Sequence, residues 1–266
     1  KEAALNAYYQ IGKNDPSITI TFISTIFDQE AVIKGINSII KDAPLIGCSS
    51  IGSISTYGSR KDSVAVFIIS SKSIGFSCGI GEGVSKNARL AGYNAARKAS
   101  RATHNPKQAY MMFSSSMAGN NADILRGSQE ALGTSFPIIG GGACNKPWVQ
   151  NTYQYVDNEI KMDSVVGILM SGNLKLGMGQ ANGWLPIGKP HKITKAKSNI
   201  IKEIDKKTAV KLYEEYFGKS SEELKNEGIC KLGLNYPVGT RFGGKDNLYL
   251  TRVPLAIEEN GSIVLN

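Results

Sequence analysis

The sequence predicts an α+β fold built on an internal duplication, with mixed or antiparallel sheets flanked by helices. Three observations carry that expectation. "PLIGCSSIGSI", from Pro44, is echoed by "PIIGGGACNKP", from Pro137. The likeness extends outward: "ITITFIST" answers "AYMMFSSS", and "DSVAVFIISS" from Asp62 answers "DSVVGILMSG" from Asp163, with four of ten positions identical. Finally, long extended runs follow one another across short turns, which disfavours a doubly wound parallel sheet. Two pseudo-twofold repeats are expected, at about 18–103 and 108–182. Each runs strand, helix, strand, Gly-rich turn and two further strands, and an αββα-like sandwich is one form such a pair takes.

The first strand, "ITITFIST", is apolar and bounded by turn formers. A helix follows from Asp28, its expected N-cap, with Val32, Ile36, Ile39 and Ile40 on one face and Lys41 near its end. "GCSSIG" (Gly47–Gly52) reads as a tight turn. After the strand from Asp62, "FSCGIG" alternates Phe76, Cys78 and Ile80, the period of a half-buried strand. An alanine-rich helix from Val84 to about Thr103 closes the repeat.

The second repeat follows the same order. Its helix, from Asn121, carries Ile124, Leu125, Ala131 and Leu132 and stops at Gly133. "GGGACN" (Gly140–Asn145) is the matching turn, and "LKLGMG" (Leu174, Leu176, Met178) the matching last strand. Gly35 and Gly127 stand inside the two helices. A mid-helix glycine costs roughly 1 kcal/mol against alanine, so its double use points to close packing of helix on sheet. Beyond the repeats come a hairpin turning at Ser198-Asn199, a helix from about Lys206 to Phe217, a Gly/Asn/Pro-rich stretch (Glu227–Asp246) and a strand pair between Leu248 and Leu265.

Composition narrows the function classes. The 266 residues are 41% hydrophobic, enough for a core. The longest apolar run, Val64–Ile69, is too short to span a bilayer, and no secretory leader pattern follows Lys1. Cys48, Cys78, Cys144 and Cys230 form no CxxC pair and read as free thiols in a reducing compartment, which places the protein in the cytoplasm. The net charge is +9, yet only seven of the 31 basic residues are arginine. "KPHKITKAKSNIIKEIDKK", from Lys189, has no interleaved aromatics to stack on bases. It reads as a solvated lysine-rich face, with no nucleic-acid partner and no membrane insertion expected.

Small side chains and backbone N–H groups at Gly47, Cys48, Ser49, Ser50 and at Gly140, Gly141, Gly142, Asn145 suit the close approach of a ligand carboxylate or phosphate. Trp184 is a candidate pocket wall and Arg252 a candidate carboxylate partner. "GIGEG" (Gly79–Gly83) lacks the spacing of a nucleotide-binding fingerprint. His104 and His191 stand in no metal-ligand spacing. Cys48 and Cys144 fit buried small thiols better than nucleophiles, and Ser49 and Ser50 have no nucleophile signature. No catalytic residue and no enzyme activity are expected.

The phrases "PLIGCSSIGSIS" and "FPIIGGGACN", and above all "GWLPIGKPHKITKAKSNIIKEIDKKTAVKLYEEYFG" from Gly183 to Gly218, resemble the FIST sensory domain. The resemblance implies an N-terminal FIST portion over 1–205 and the beginning of a C-terminal portion over 206–266, with the family's sequence continuing past "NGSIVLN". It implies a prokaryotic signal-input module that binds a small molecule such as an amino acid or small carboxylate. Its output partner would be a histidine kinase, chemotaxis receptor or diguanylate cyclase. No cofactor is expected on the leading reading. The alternatives are a haem-binding nitric oxide sensor, with His191 or His104 as axial ligand, and a two-sheet-sandwich hydrolase by fold analogy.

Overall fold

The computed structural model describes residues 1–56, 58–115, 120–145, 151–179, 181, 183–241 and 249–266. They form two compact units, Lys1–Met178 and Gly179–Asn266. The first runs α1 (Glu2–Gln10), β1 (Ile18–Ser24), α2 (Gln29–Asn37), β2 (Leu45–Ser50), β3 (Gly52–Ser55), β4 (Gly58–Lys61), β5 (Val64–Ile69), β6 (Ile74–Glu82) and α3 (Val84–Arg101). It continues through β7 (Lys107–Ser115), α4 (Asn121–Leu132), β8 (Ile138–Ala143), β9 (Gln154–Val156), β10 (Glu159–Lys161) and β11 (Ser164–Gly172).

Two mixed sheets result, ordered β10-β9-β2-β1-β5 and β6-β11-β7-β8, with β3 and β4 paired separately. Alternation along the strands sends one set of apolar side chains between the sheets. Ile18, Ile20, Ile46 and Cys48 meet Phe113, Ala143, Val166 and Ile168 there, and Phe22 meets Phe113 edge to face at 5.3 Å. The opposite set faces helices. Ala4 of α1 and Ile33 and Ile36 of α2 cover Ile23, Leu45 and Ile68. On the other sheet, α3 and α4 cover Val165, Tyr110 and Leu169. The order is therefore helix, sheet, sheet, helix. Each fully buried isoleucine or leucine in such layers contributes roughly 1.5–3 kcal/mol.

The two sheet centres share a pairing pattern. β1 lies parallel to β2 and antiparallel to β5; β7 lies parallel to β8 and antiparallel to β11. That is a likeness of arrangement, and the descent of the halves from one copied unit stays an expectation of the sequence.

Several elements differ from the sequence expectation. "GCSSIG" and "GGGACN" are not turns: Gly47–Ser50 belongs to β2 and Gly140–Ala143 to β8. The glycines serve strand contact, since a Cβ on Gly47 would lie 1.9 Å from the Thr21 carbonyl oxygen and one on Gly140 1.9 Å from that of Met112. "LKLGMG" carries no strand, because β11 already has β6 and β7 on its two sides. The helix glycines do not approach a sheet. Gly127 packs on the backbone of α3, where a Cβ would meet the Arg89 carbonyl at 1.8 Å, and Gly35 has only ordinary contact with Lys1 at 3.6 Å. Helix α1 and the β3–β4 pair had no sequence signal assigned to them.

The second unit comprises β12 (Ile193–Lys197), β13 (Ile200–Ile204), β14 (Lys207–Thr208), α5 (Val210–Phe217), α6 (Ser221–Glu227), α7 (Ile229–Gly233), β15 (Val238–Arg241), β16 (Tyr249–Arg252), β17 (Pro254–Ile257) and β18 (Ile263–Leu265). The hairpin turns at Ser198, which takes the left-handed conformation (φ 54°). Helix α5 starts later than expected because Asp205 and Lys206, at φ 50° and 64°, turn the chain back so that β14 pairs with β13. Three strands rather than two occupy the end of the chain. Positions 242–248, within the Gly/Asn/Pro-rich stretch and at the start of the expected strand pair, lie outside the described residues. The sheet β12-β13-β18-β17 shares a core with Val210, Tyr213, Leu224 and Ile229. Because β13 pairs with β18, the hairpin packs with the second unit, although the sequence assigns it to the N-terminal family portion.

Candidate functional site

The carboxyl ends of the parallel strands converge. Ser49, at the end of β2, is the junction: its carbonyl accepts from Cys144 N–H (3.2 Å) and its N–H donates to the Tyr153 carbonyl (2.8 Å). Its hydroxyl accepts from Tyr153 N–H (3.0 Å) and donates to the Cys144 carbonyl (3.4 Å). Thr25, just past β1, donates its hydroxyl to Asn145 Oδ1 at 2.6 Å, and Asn145 Nδ2 donates to the Asn151 carbonyl at 2.6 Å. Ser115, ending β7, shares a 2.9 Å hydroxyl bond with Thr152. In open α/β sheets ligands bind beyond the carboxyl ends of such strands.

The flanking positions are polar as well. Ser114 donates to Asn121 Oδ1 at 2.9 Å, and Ser24 faces Asp62 at 3.4 Å. Gln29, opening α2, donates to the Ser24 and Phe27 carbonyls (3.1 and 2.6 Å) and accepts from the Tyr155 hydroxyl. Between the sheets, Ser164 donates to Gln154 Oε1 at 2.9 Å, while Gln154 Nε2 is buried with no protein partner. None of these bonds involves a lysine or arginine. The helix N-termini are occupied too: Asp28 caps Ala31 N–H and Asn120 caps Ala122 N–H, with Glu30 and Asp123 in the first turns. The dipole there is matched by the protein's own acids. The site offers hydroxyls, amides and backbone groups.

The structure separates the residues singled out in the sequence. Ser49 and Asn145 meet at the convergence. Ser50 closes on its own turn through the Gly52 carbonyl. Gly47 lies within a buried strand paired on both sides, by β1 and β9. Gly140, Gly141 and Gly142 lie exposed on β8, which ends its sheet, and a Cβ on Gly141 would meet nothing within 4 Å. Cys48 is buried in the inter-sheet core. Burial, and then the nearby Cys144 thiol, push its pKa up to about 12, so at neutral pH it holds no thiolate with which to attack. Cys78, also desolvated and facing Asp157, is pushed up to about 12 as well.

Sequence reasoning missed Thr25, Ser115 and Thr152. The available signal was a run of hydroxyl residues at the end of each first strand, "ISTIF" and "FSSS". Two shallow clefts, of about 720 and 580 Å³, lie elsewhere, around Asn37–Leu45 with Asp157 and Asn158, and around Leu132–Pro137 with Lys107 and Gln108. Both are formed by loops at the amino ends of β2 and β8, away from the convergence.

Trp184, Arg252 and His191 belong to the second unit. Arg252 is half-buried and donates to the Thr251 carbonyl at 3.0 Å. His191 Nδ1 lies 2.7 Å from Asp205 Oδ2, and Nε2 lies 3.5 Å from the Tyr216 hydroxyl. The Lys192 backbone N–H, and then His191, hold the Asp205 carboxyl below its ordinary range. His104 is exposed on the connector after α3.

A family model described as the FIST N domain matches residues 17–207. The chain belongs to the FIST family. FIST domains are sensory, ligand-binding modules, generally of signal transduction. No curated protein matches the chain. The FIST match runs from β1 to the start of β14 and so includes all four converging strands, while Arg252 falls beyond it. Among the described residues of this FIST chain, no helix is long and apolar enough to cross a membrane, and no group of three or more His, Cys, Asp or Glu is placed to hold a metal ion.

Proposed function

We propose that this FIST chain is a non-enzymatic receptor for a small polar molecule such as an amino acid, held where β1, β2, β7 and β8 end. The observation that carries this is the junction at Ser49, where hydroxyl and amide groups from both sheets converge beside the exposed glycines of β8. Those groups suit a ligand read by neutral hydrogen bonds. The elevated Cys48 thiol pKa speaks against Cys48 as a nucleophile. As a prokaryotic, cytoplasmic input module, it would pass occupancy to an output protein such as a histidine kinase, chemotaxis receptor or diguanylate cyclase. A thermal-shift screen over the amino acids and small carboxylates tests this. A ligand at 100 times its Kd adds about 2.7 kcal/mol, roughly 5–10 °C at this chain length. The shift is expected to vanish in Gly141→Phe, whose side chain would fill the open space beside β8. A shift undiminished in that variant moves the site elsewhere.

A second reading, a haem-based gas sensor, is favoured by one observation. Asp205 fixes the tautomer of His191 and leaves Nε2 as its coordinating atom. Tyr216 stands against that nitrogen and would have to turn aside. Haem added to the protein should give a Soret band lost in His191→Ala. A band that survives both His191→Ala and His104→Ala rules out histidine ligation.

A further inference from the structure

The residues from 164 to 202 include six lysines and no aspartate or glutamate. Within the second unit this stretch leaves large apolar side chains partly or largely uncovered: Trp184 is 44% exposed, Leu185 85% and Ile187 59%. Their base is fixed. Gly188 takes the left-handed conformation, with the Tyr216 hydroxyl where a Cβ would stand. His191 Nδ1 and Lys192 N–H both engage the Asp205 carboxylate, at 2.7 and 2.8 Å, and Asp205 N–H returns a 2.8 Å bond to the Lys192 carbonyl. The segment after that base is β12, exposed along its whole length. It adds Lys195 and Lys197 to Lys189 and Lys192; of these, Lys195 pairs with Glu203 at 3.5 Å and Lys189 lies close enough to Asp205 and Glu215 to act on their carboxyls.

We infer that Trp184, Leu185 and Ile187, with Lys189, Lys192 and Lys197, form a docking surface for an anionic lipid bilayer. Charge complementarity and side-chain type favour that occupant. Lysine is depleted at protein–protein interfaces, and lysines on an edge strand oppose pairing with a second copy. The stretch has no arginine, the residue that reads nucleic-acid phosphates and bases in planar fashion. Lysines beside a tryptophan and aliphatic side chains match the headgroup and upper acyl region of an anionic leaflet. The contact is adsorption at headgroup depth and inserts no spanning segment.

Sedimentation of the whole chain with vesicles tests the inference, using phosphatidylcholine alone and phosphatidylcholine mixed with phosphatidylglycerol. The chain should bind the mixed vesicles at least about tenfold more tightly, with salt weakening the binding. Leu185→Ser with Ile187→Ser leaves the charge unchanged and should weaken binding by roughly tenfold or more. Lys192→Ala with Lys197→Ala should also weaken it, whereas Lys13→Ala, on the first unit, should not. Trp emission should shift to the blue on mixed vesicles and lose that response in Trp184→Phe. Equal affinity for the two vesicles, or no binding at low salt, overturns the inference. So does a double serine variant that folds and binds like the parent, because adsorption would then follow net charge alone.

Discussion

The strands β2 and β8 begin with nearly the same words, "PLIGC" and "PIIGG", and live in opposite surroundings. β2 is flanked by β1 and β9 and buried over five of its six residues. β8 has β7 on one side, and its three glycines are exposed. The shared proline, branched residues and first glycine answer a shared demand, a close parallel neighbour on one side. Where the phrases diverge, so do the environments: Cys48-Ser49 enters a core and a hydrogen-bonded junction, and Gly141-Gly142 opens to solvent. Similar sequence sets similar strands, and the neighbours decide which strand can receive a ligand.

The strongest way to break this comparison is to add side chains along both phrases. Gly47→Val drives a Cβ into the Thr21 carbonyl and should cost about 3 kcal/mol or more. Gly140→Val should be similarly severe, since Gly140 also has φ 147°. Gly141→Ala should stay within about 0.5 kcal/mol. Denaturant titration checks all three, and equal costs at Gly47 and Gly141 would erase the distinction.

The helix glycines sharpen the same lesson. Gly127→Ala forces α4 off α3 and should cost about 1–3 kcal/mol, whereas Gly35→Ala should stabilise by up to about 1 kcal/mol through helix propensity. Thermal unfolding of the pair should therefore give shifts of opposite sign. At the junction, Asn145→Ala removes side-chain bonds to Thr25 and Asn151 and should cost about 1 kcal/mol. The least perturbing comparison is chemical. Iodoacetamide should label exposed Cys144 in the folded chain and reach buried Cys48 only on unfolding, as mass spectrometry of digests would report.

Much of this was legible in the sequence. Short apolar runs between turn formers located β1 and β7, and alternation located β6. Apolar faces at helical spacing and an alanine-rich stretch located α2, α4 and α3, and Asp28 and Gly133 marked helix ends because capping is local chemistry. The Gly-rich phrases misled, because a glycine required by a neighbouring carbonyl looks the same in sequence as a glycine required by a turn. Alternation in "LKLGMG" misled for a related reason: a period-2 pattern shows that a strand is possible and not that an edge is open to pair with it. Ser49 and Asn145 were legible as polar groups beside glycine. The hydroxyl runs "ISTIF" and "FSSS" marked Thr25 and Ser115 as polar strand ends, but their pairing with Asn145 and Thr152 was not legible, since it depends on two sheets stacking face to face.

The claim that ligands bind at the open side of the convergence is tested most directly by amide chemical shifts during titration with the strongest amino acid from the thermal screen. Shifts should concentrate at Thr25, Gly141, Gly142, Cys144 and Asn145, with Gly47 nearly still. Shifts centred on Asn37–Leu45 and Asp157 would instead place the ligand in the cleft at the opposite strand ends and contradict the account.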